Sequence, residues 1–301
     1  MPENNKTARP VNRGSIQVNT GRRTALVRGV LISALGMVSL LVLGVTVVQV
    51  GSEWTLRQLP DVPSDLKVPA GGDPIEGSRL ASILGCKGCH GPDLGGRAPC
   101  YEKEGAFRLT CPNITEAREK YDDHALVALL RSGRKSNGAL VDFMPWDMYA
   151  QLTDGDLANV IAFLRAAPAV HNAVSLPSST YSWSTRWEML LGRYPEQNDL
   201  GDYDSTPLSG LAERGRYLAN IACPECHAPD LRGYDGDEAP NLVVAKAYSV
   251  EAFERLMREG ITLAGTESGS GLMTAVARKR FVHFSPEEIL ALKAYLDQRQ
   301  P

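Results

Sequence analysis

The sequence predicts an all-α chain with one membrane-spanning helix and two helical domains that repeat one another. Three observations support this prediction: an uncharged apolar run over residues 29–52, a five-residue motif that occurs twice, and helix-capping signals after each copy. The composition, with 43% hydrophobic and 22% charged residues, is that of an ordinary globular protein. A length of 301 residues is enough for about two domains.

The apolar run is long enough to cross a bilayer as a single helix. Six basic residues and one acidic residue precede it in residues 1–28, and this excess predicts a cytoplasmic N-terminus with the rest of the chain on the far side. The alternative is a cleaved signal peptide. The run exceeds the roughly 7–15 residues of a signal core, and no A-x-A-like site follows it. We therefore expect an uncleaved, single-pass anchor.

The repeated motif has the pattern C-x-x-C-H, the attachment signature of c-type haem. Its two thiols can form thioethers with the vinyl groups of one porphyrin, and the adjacent histidine can ligate the iron. A zinc site made of both C-x-x-C pairs is the alternative. It leaves the histidines unexplained, and the pairs lie 137 residues apart rather than roughly 15–20. The motif predicts two covalently bound haem c groups, held by Cys86, Cys89 and His90 and by Cys223, Cys226 and His227.

An internal repeat extends beyond the motif. Residues 90–96 align with residues 227–233, and Pro112-Asn113 aligns with Pro240-Asn241, so the first copy carries nine additional residues in between. Cys100 and Cys111 flank this insertion and are the only cysteines outside the motifs. Because haem is attached outside the cytoplasm, where disulfides persist, we expect these two to be bonded, with a turn over residues 102–105. A thiolate ligand to the first iron, or free thiols, are the alternatives.

Helix signals follow each motif. A helix over residues 77–86 is expected to deliver the first motif, and glycines mark predicted helix ends at Gly133 and Gly260. Capping patterns predict two further helix starts, at Thr153 and at Ser285. The connector, residues 169–207, is too apolar for a free linker, so we expect in it a short helix packed on one or both domains. The residues that indicate this are Trp183, Trp187, Met189, Leu190 and Leu191.

Methionine is the expected second axial ligand, because a thioether favours ferrous iron and raises the reduction potential. Met144 and Met273 occupy matching places between the middle and last helices of the two repeats. Met148 is an alternative for the first iron, and Met257 is expected in the core. Histidine ligation is also open; the histidines outside the motifs are His124, His171 and His283.

These motifs together resemble membrane-anchored dihaem cytochromes c, built from two class I cytochrome c domains and similar to cytochrome subunits of respiratory dehydrogenases and oxidases. The resemblance implies that Pro112 and Pro240 hold the proximal histidines through their carbonyl groups. The second copy departs from the pattern, because Thr274 rather than a proline follows Met273. The expected division is a cytoplasmic arm (1–28), an anchor (29–52), a stalk (53–70), domain 1 (71–168), the connector (169–207) and domain 2 (208–301).

The expected function is electron transfer on the outer, periplasmic or extracellular, face of a cytoplasmic membrane. The partners would be redox proteins: a membrane dehydrogenase, an oxidase or a soluble cytochrome. The chain has a net charge of −3 and residues 1–28 carry +5, so the remainder carries −8. This argues against nucleic acid and suits either a basic docking partner or solubility alone. Two closed irons imply no catalytic residue. A dihaem enzyme of the peroxidase or thiosulfate dehydrogenase type and an accessory subunit of a larger complex are the alternatives.

Overall fold

The computed structural model describes residues 20–55, 66–139, 141, 143–172, 175–193, 203–205, 207–234 and 239–300. Most of the expected cytoplasmic arm, and parts of the expected stalk and connector, lie outside these residues. Contacts divide the chain into two units, residues 1–50 and 51–301. The α-helices are α1 (Thr20–Thr55), α2 (Pro74–Ile83), α3 (Cys86–His90), α4 (Ile114–Ala117), α5 (Asp123–Ser132), α6 (Trp146–Ala150), α7 (Asp154–Ala166), α8 (Trp183–Leu190), α9 (Gly210–Ala222), α10 (Pro224–His227), α11 (Val250–Glu259), α12 (Leu272–Lys279) and α13 (Pro286–Gln298).

Helix α1 contains the apolar run. Its segment Thr24–Trp54 has 31 residues and contains an 18-residue window with a mean hydropathy of 2.5, which by length and composition makes it a candidate membrane span. The helix extends beyond the uncharged run at both ends.

A small antiparallel sheet makes the all-α prediction incomplete. Its strands are β1 (Arg97–Lys103), β2 (Phe107–Cys111) and β3 (Thr180–Tyr181), in the order β1-β2-β3. The first two strands are the insertion, and the disulfide between Cys100 and Cys111 joins them. The turn is formed by residues 104–106, later than predicted, because residues 102 and 103 still pair in β1. Alternation of buried Phe107 and Leu109 with exposed Arg108 explains why this segment is extended.

The same helix pair occurs twice in the unit formed by residues 51–301. Helix α2 crosses α7, and helix α9 crosses α13. A glycine lies at each crossing: a Cβ at Gly77 would overlap the carbonyl oxygen of Asn159, and a Cβ at Gly215 would overlap that of Ala291. Only glycine permits this close approach of two backbones. The flanking sequences are also alike, since residues 77–83 read GSRLASI and residues 215–221 read GRYLANI.

Several predicted helix boundaries are confirmed. Helix α11 ends at Gly260 and α5 ends at Gly133, both in the left-handed conformation. The side chains and backbone of Ser285 and Glu288 form the reciprocal capping box at the start of α13. The helix expected over residues 77–86 differs, because α2 ends at Ile83 and the motif forms its own turn, α3.

One core joins the two halves of this unit, which are helices α2 to α7 and helices α9 to α13. The buried residues of helices α2, α5, α6 and α7 form a single cluster with those of α9, α11 and α13. Met148, with no exposed surface, and Met257, 4% exposed, belong to this cluster, as expected for a core methionine at Met257. The halves therefore pack directly on each other.

Candidate functional site

The first motif is presented by a change of chain direction. Gly85 has a φ of 86°, a left-handed value that separates α2 from α3 and lets the motif turn away. The thiols of Cys86 and Cys89 are unbonded and partly buried. Burial raises the pKa of the Cys86 thiol to about 11, so it is protonated at neutral pH.

His90 is oriented by a backbone carbonyl. Its Nδ1 lies 2.8 Å from the carbonyl oxygen of Pro112, to which it donates in the neutral tautomer that leaves Nε2 as the free lone pair. Burial lowers the pKa of His90, although the Pro112 carbonyl opposes this, and the imidazole is therefore neutral. A neutral imidazole held through Nδ1 is the form in which histidine ligates a metal.

The second motif has the same arrangement. The Nδ1 atom of His227 lies 2.8 Å from the carbonyl oxygen of Pro240, and burial lowers the pKa of His227. Cys223 and Cys226 are partly buried and form no disulfide, and burial raises the pKa of Cys223 to about 12.

The backbone after each motif also repeats. Leu94 and Leu231 both have left-handed φ values, 62° and 58°. The amide of Gly96 donates to His90 O and that of Gly233 to His227 O, both at 2.8 Å. A left-handed leucine is uncommon, so its recurrence at an equivalent position indicates one shared local structure.

A comparison with protein families identifies the segment that contains the first motif. A family model described as cytochrome c matches residues 75–168, about a third of the chain. Residues 75–168 are a cytochrome c domain. No curated protein matches the chain. A cytochrome c domain implies electron transfer and covalently bound haem c.

The residues of the cytochrome c domain fit this cofactor. Cys86 and Cys89 supply two free thiols at the required spacing, and His90 supplies an available nitrogen. A further observation comes from Trp146, whose Nε1 is buried without a hydrogen-bond partner among the described residues. An orphaned buried N–H is costly, and a haem carboxylate is a suitable acceptor.

Met144 lies in the segment between α5 and α6. It follows Phe143, whose φ is 58°, and precedes Pro145 at the start of α6. Met144 is partly buried and packs against both the main core and the small cluster of Val141 and Trp146. Its neighbour Met148 is fully enclosed in the core, a poorer position for a ligand.

Met273 lies between α11 and α13, as expected from the repeat, but within a helix, whereas Met144 lies outside one. It is the second residue of helix α12, which begins after Gly271 in the left-handed conformation. With Thr274 instead of a proline after it, the chain continues as a helix. Met273 is partly buried and packs on the core, so its sulfur is supported by a helical turn rather than by a loop.

The histidines outside the motifs are less well placed than the methionines to ligate a haem iron. His124, His171 and His283 are all exposed, whereas both methionines are partly buried. Among the described residues, no three or more His, Cys, Asp or Glu side chains are arranged to hold a metal ion, which is the arrangement that the zinc alternative requires.

The disulfide-linked hairpin supports the Met144 segment, a role that the sequence analysis did not identify. The ring of Phe107 in β2 lies 4.5 Å from that of Phe143, and Tyr101 in β1 contacts both rings. The hairpin therefore packs directly on the residue before the candidate ligand. The strong β-formers of the insertion and the aromatic residue before Met144 were the available signals.

Arg280 joins the two motifs, and nothing in the sequence marks it. Its Nε donates to Ile83 O, at the end of α2, at 2.9 Å, and its Nη1 donates to Glu225 Oε2, inside the second motif, at 2.6 Å. The guanidinium carbon would lie 3.0 Å from a Cβ at Gly85. The side chain of Arg280 is 13% exposed, and its positive charge acts on Cys86 and on Cys223. Arg280 therefore links the end of α2, just before the first motif, to Glu225 of the second motif.

Proposed function

We propose that the chain is a membrane-anchored dihaem c-type cytochrome that transfers electrons between respiratory partners on the extracytoplasmic side. Residues 208–301 are its second haem domain, and α1 is its anchor. The two motifs would hold two covalent haem c groups, and Met144 and Met273 would each supply a further ligand to the iron.

The observation that carries the proposal is the repetition of the histidine geometry. Each C-x-x-C-H histidine meets the carbonyl oxygen of a proline at the same distance, 2.8 Å. The left-handed leucine and the glycine-mediated helix crossing recur with it. Because the first copy lies in a cytochrome c domain, the same local structure in the second copy supports a second haem.

The protein residues hold and adjust the cofactors. Pro112 and Pro240 fix the rings of His90 and His227 and keep Nε2 free, so each histidine would offer Nε2 to the iron of a bound haem. Bound haem supplies one-electron chemistry at its iron. Arg280 places a positive charge beside both motifs, and such a charge favours the reduced state of a nearby centre.

The disulfide favours the carrier over the enzyme alternative. Cys100 and Cys111 are bonded to each other, so neither is a thiolate available to the first iron. An accessory subunit of a dehydrogenase or oxidase complex would use the same electron-transfer residues, and purification in mild detergent distinguishes it by what co-purifies.

The experiment is a haem count in motif variants. The wild-type chain, Cys86→Ala with Cys89→Ala, and Cys223→Ala with Cys226→Ala are purified, and covalent haem per polypeptide is measured after denaturation. We expect two haems in the wild type and one in each variant.

The matched control is Cys100→Ser with Cys111→Ser, which removes two cysteines but no haem attachment and keeps two haems. A wild-type chain with one haem that is unaffected by Cys223→Ala with Cys226→Ala would overturn the dihaem proposal. It would leave the cytochrome c domain of residues 75–168 in place.

A further inference from the structure

Helix α8 carries an exposed apolar stripe. Trp183, Trp187 and Leu191 follow one another at intervals of four residues, so they lie along one side of the helix. Their exposed fractions are 51%, 47% and 45%. The opposite side is formed by Thr185 and Met189, which are buried. The predicted connector helix exists and, as expected, packs on the first domain, through the β1–β2 hairpin, whereas its two tryptophans are exposed.

Contacts on the buried side fix the orientation of this stripe. The amide of Ser182 donates to the carbonyl oxygen of Ala106, in the hairpin turn, at 2.7 Å. The hydroxyl of Thr185 donates to the same carbonyl at 2.9 Å. Helix α8 is therefore held on the disulfide-linked hairpin, and the tryptophans face away from the protein.

Helix α8 also contacts the last turn of α1, which belongs to the same unit. The Nη1 atom of Arg186 donates to Glu53 Oε1 at 3.1 Å and to Ser52 Oγ at 3.2 Å. The side chain of Leu190 packs over Gly51, where a Cβ would overlap it. Gly51 and Ser52 end the uncharged run and Glu53 follows it, where a spanning helix leaves the hydrocarbon.

We propose that α8 lies in the membrane interface, with Trp183, Trp187 and Leu191 among the lipid headgroups and upper acyl chains. Tryptophan is enriched at this depth because its ring is apolar and its N–H needs a polar partner. The position of α8 beside the end of the spanning segment identifies lipid as the occupant. The inference rests on α1 being a membrane anchor, and it implies that the hairpin and the Met144 segment are held at a fixed height above the bilayer.

The test uses the full-length holoprotein in the membranes of the cells that produce it. The photoreactive residue benzoylphenylalanine replaces Trp183 or Trp187, and, as a matched aromatic control, Tyr234, which is 39% exposed. After irradiation, mass spectrometry of the purified chain separates lipid adducts from protein adducts. We expect several-fold more lipid adducts at positions 183 and 187 than at 234, with two haems retained in every variant.

Protein adducts at 183 and 187 would overturn the inference, because a partner or a second copy would then cover the stripe. Lipid adducts no more frequent than at 234 would also overturn it. Extraction of the membranes with alkaline carbonate tests the anchor separately. Release of the chain contradicts the anchor, whereas retention without adducts contradicts the placement of α8 alone.

Discussion

At the scale of single residues, the assignment of Met144 and Met273 as iron ligands can be tested by substitution. Met144→Ala and Met273→Ala should each open one iron to external ligands and lower the potential of that haem, because a thioether stabilises ferrous iron. The spectrum with added imidazole and a redox titration measure both effects.

The neighbouring methionines serve as matched controls. Met148→Ala and Met257→Ala remove buried core side chains and should cost about 2–5 kcal/mol of stability. Neither change should allow an external ligand to bind either iron. An iron opened by either control variant would mean that the ligand has been assigned to the wrong methionine.

Arg280 and Glu225 should shift the potentials in opposite directions. Arg280→Met removes a buried positive charge beside both motifs and should lower the potentials of both haems. Glu225→Gln leaves that charge unopposed and should raise them. The Arg280 variant should also lose on the order of 1–3 kcal/mol of stability, since Ile83 O and Glu225 lose a donor. Potentiometric titration checks the signs.

Arg108→Gln supplies the control for this pair. Arg108 lies on the exposed side of β2, with 60% of its side chain exposed, and solvent screens its charge. Equal shifts of the reduction potentials in Arg280→Met and Arg108→Gln would show that the buried charge of Arg280 affects the haems no more than an exposed charge does.

At the scale of elements, the glycines at the two helix crossings can be tested one half at a time. Gly77→Ala and Gly215→Ala place a Cβ on a carbonyl oxygen of the facing helix and should destabilise the protein by about 1–3 kcal/mol or more. The control is Gly155→Ala in α7, where the nearest atom is 4.0 Å away and the change should stabilise by up to about 1 kcal/mol. Thermal unfolding followed at the haem bands gives the comparison.

The hairpin illustrates where sequence reasoning succeeds and where it stops. The disulfide could be predicted because Cys100 and Cys111 were the only cysteines left over and flanked an insertion. The sequence did not predict the strand pairing, because the alternation of Phe107 and Leu109 with Arg108 is confined to one five-residue strand. The end of α11 at Gly260, by contrast, was predicted correctly, since the glycine signal agrees with the left-handed conformation at that position.

Arg280 and the tryptophans of α8 show what local signals cannot provide. The contacts of Arg280 join residues 55 and 197 positions away in the chain, and no periodicity encodes such a pairing. Trp183 and Trp187 read as core residues by type, yet the structure exposes them, because burial depends on which side of the helix faces the hairpin.

At the scale of the whole molecule, acid should loosen the contact between the two halves. Glu288 accepts from Arg79 at 2.7 Å across this contact. Burial would raise the pKa of Glu288, but its bonds and ion pairs, chiefly with Arg79, hold it below the usual 4.5. A carboxylate with a lowered folded pKa contributes stability that is complete above 4.5 and is lost as the pH falls through the folded pKa.

Glu288→Gln keeps the capping box but removes this charge, so it should cost about 1.5–3 kcal/mol at pH 7 and reduce the loss of stability on acidification. Glu254→Gln, which removes only a pair with Arg258 inside α11, is the control. Denaturant unfolding at several pH values measures both, and an unchanged acid response in Glu288→Gln would exclude this residue as its source.

The mass of the intact, denatured polypeptide measures how many haems the chain binds covalently. Thioether-linked haem survives denaturation, so we expect a mass equal to the chain plus two haem groups. One haem should be recovered on a peptide containing Cys86 and Cys89 and the other on a peptide containing Cys223 and Cys226. A mass corresponding to one haem, with Cys223 and Cys226 unmodified, would contradict it.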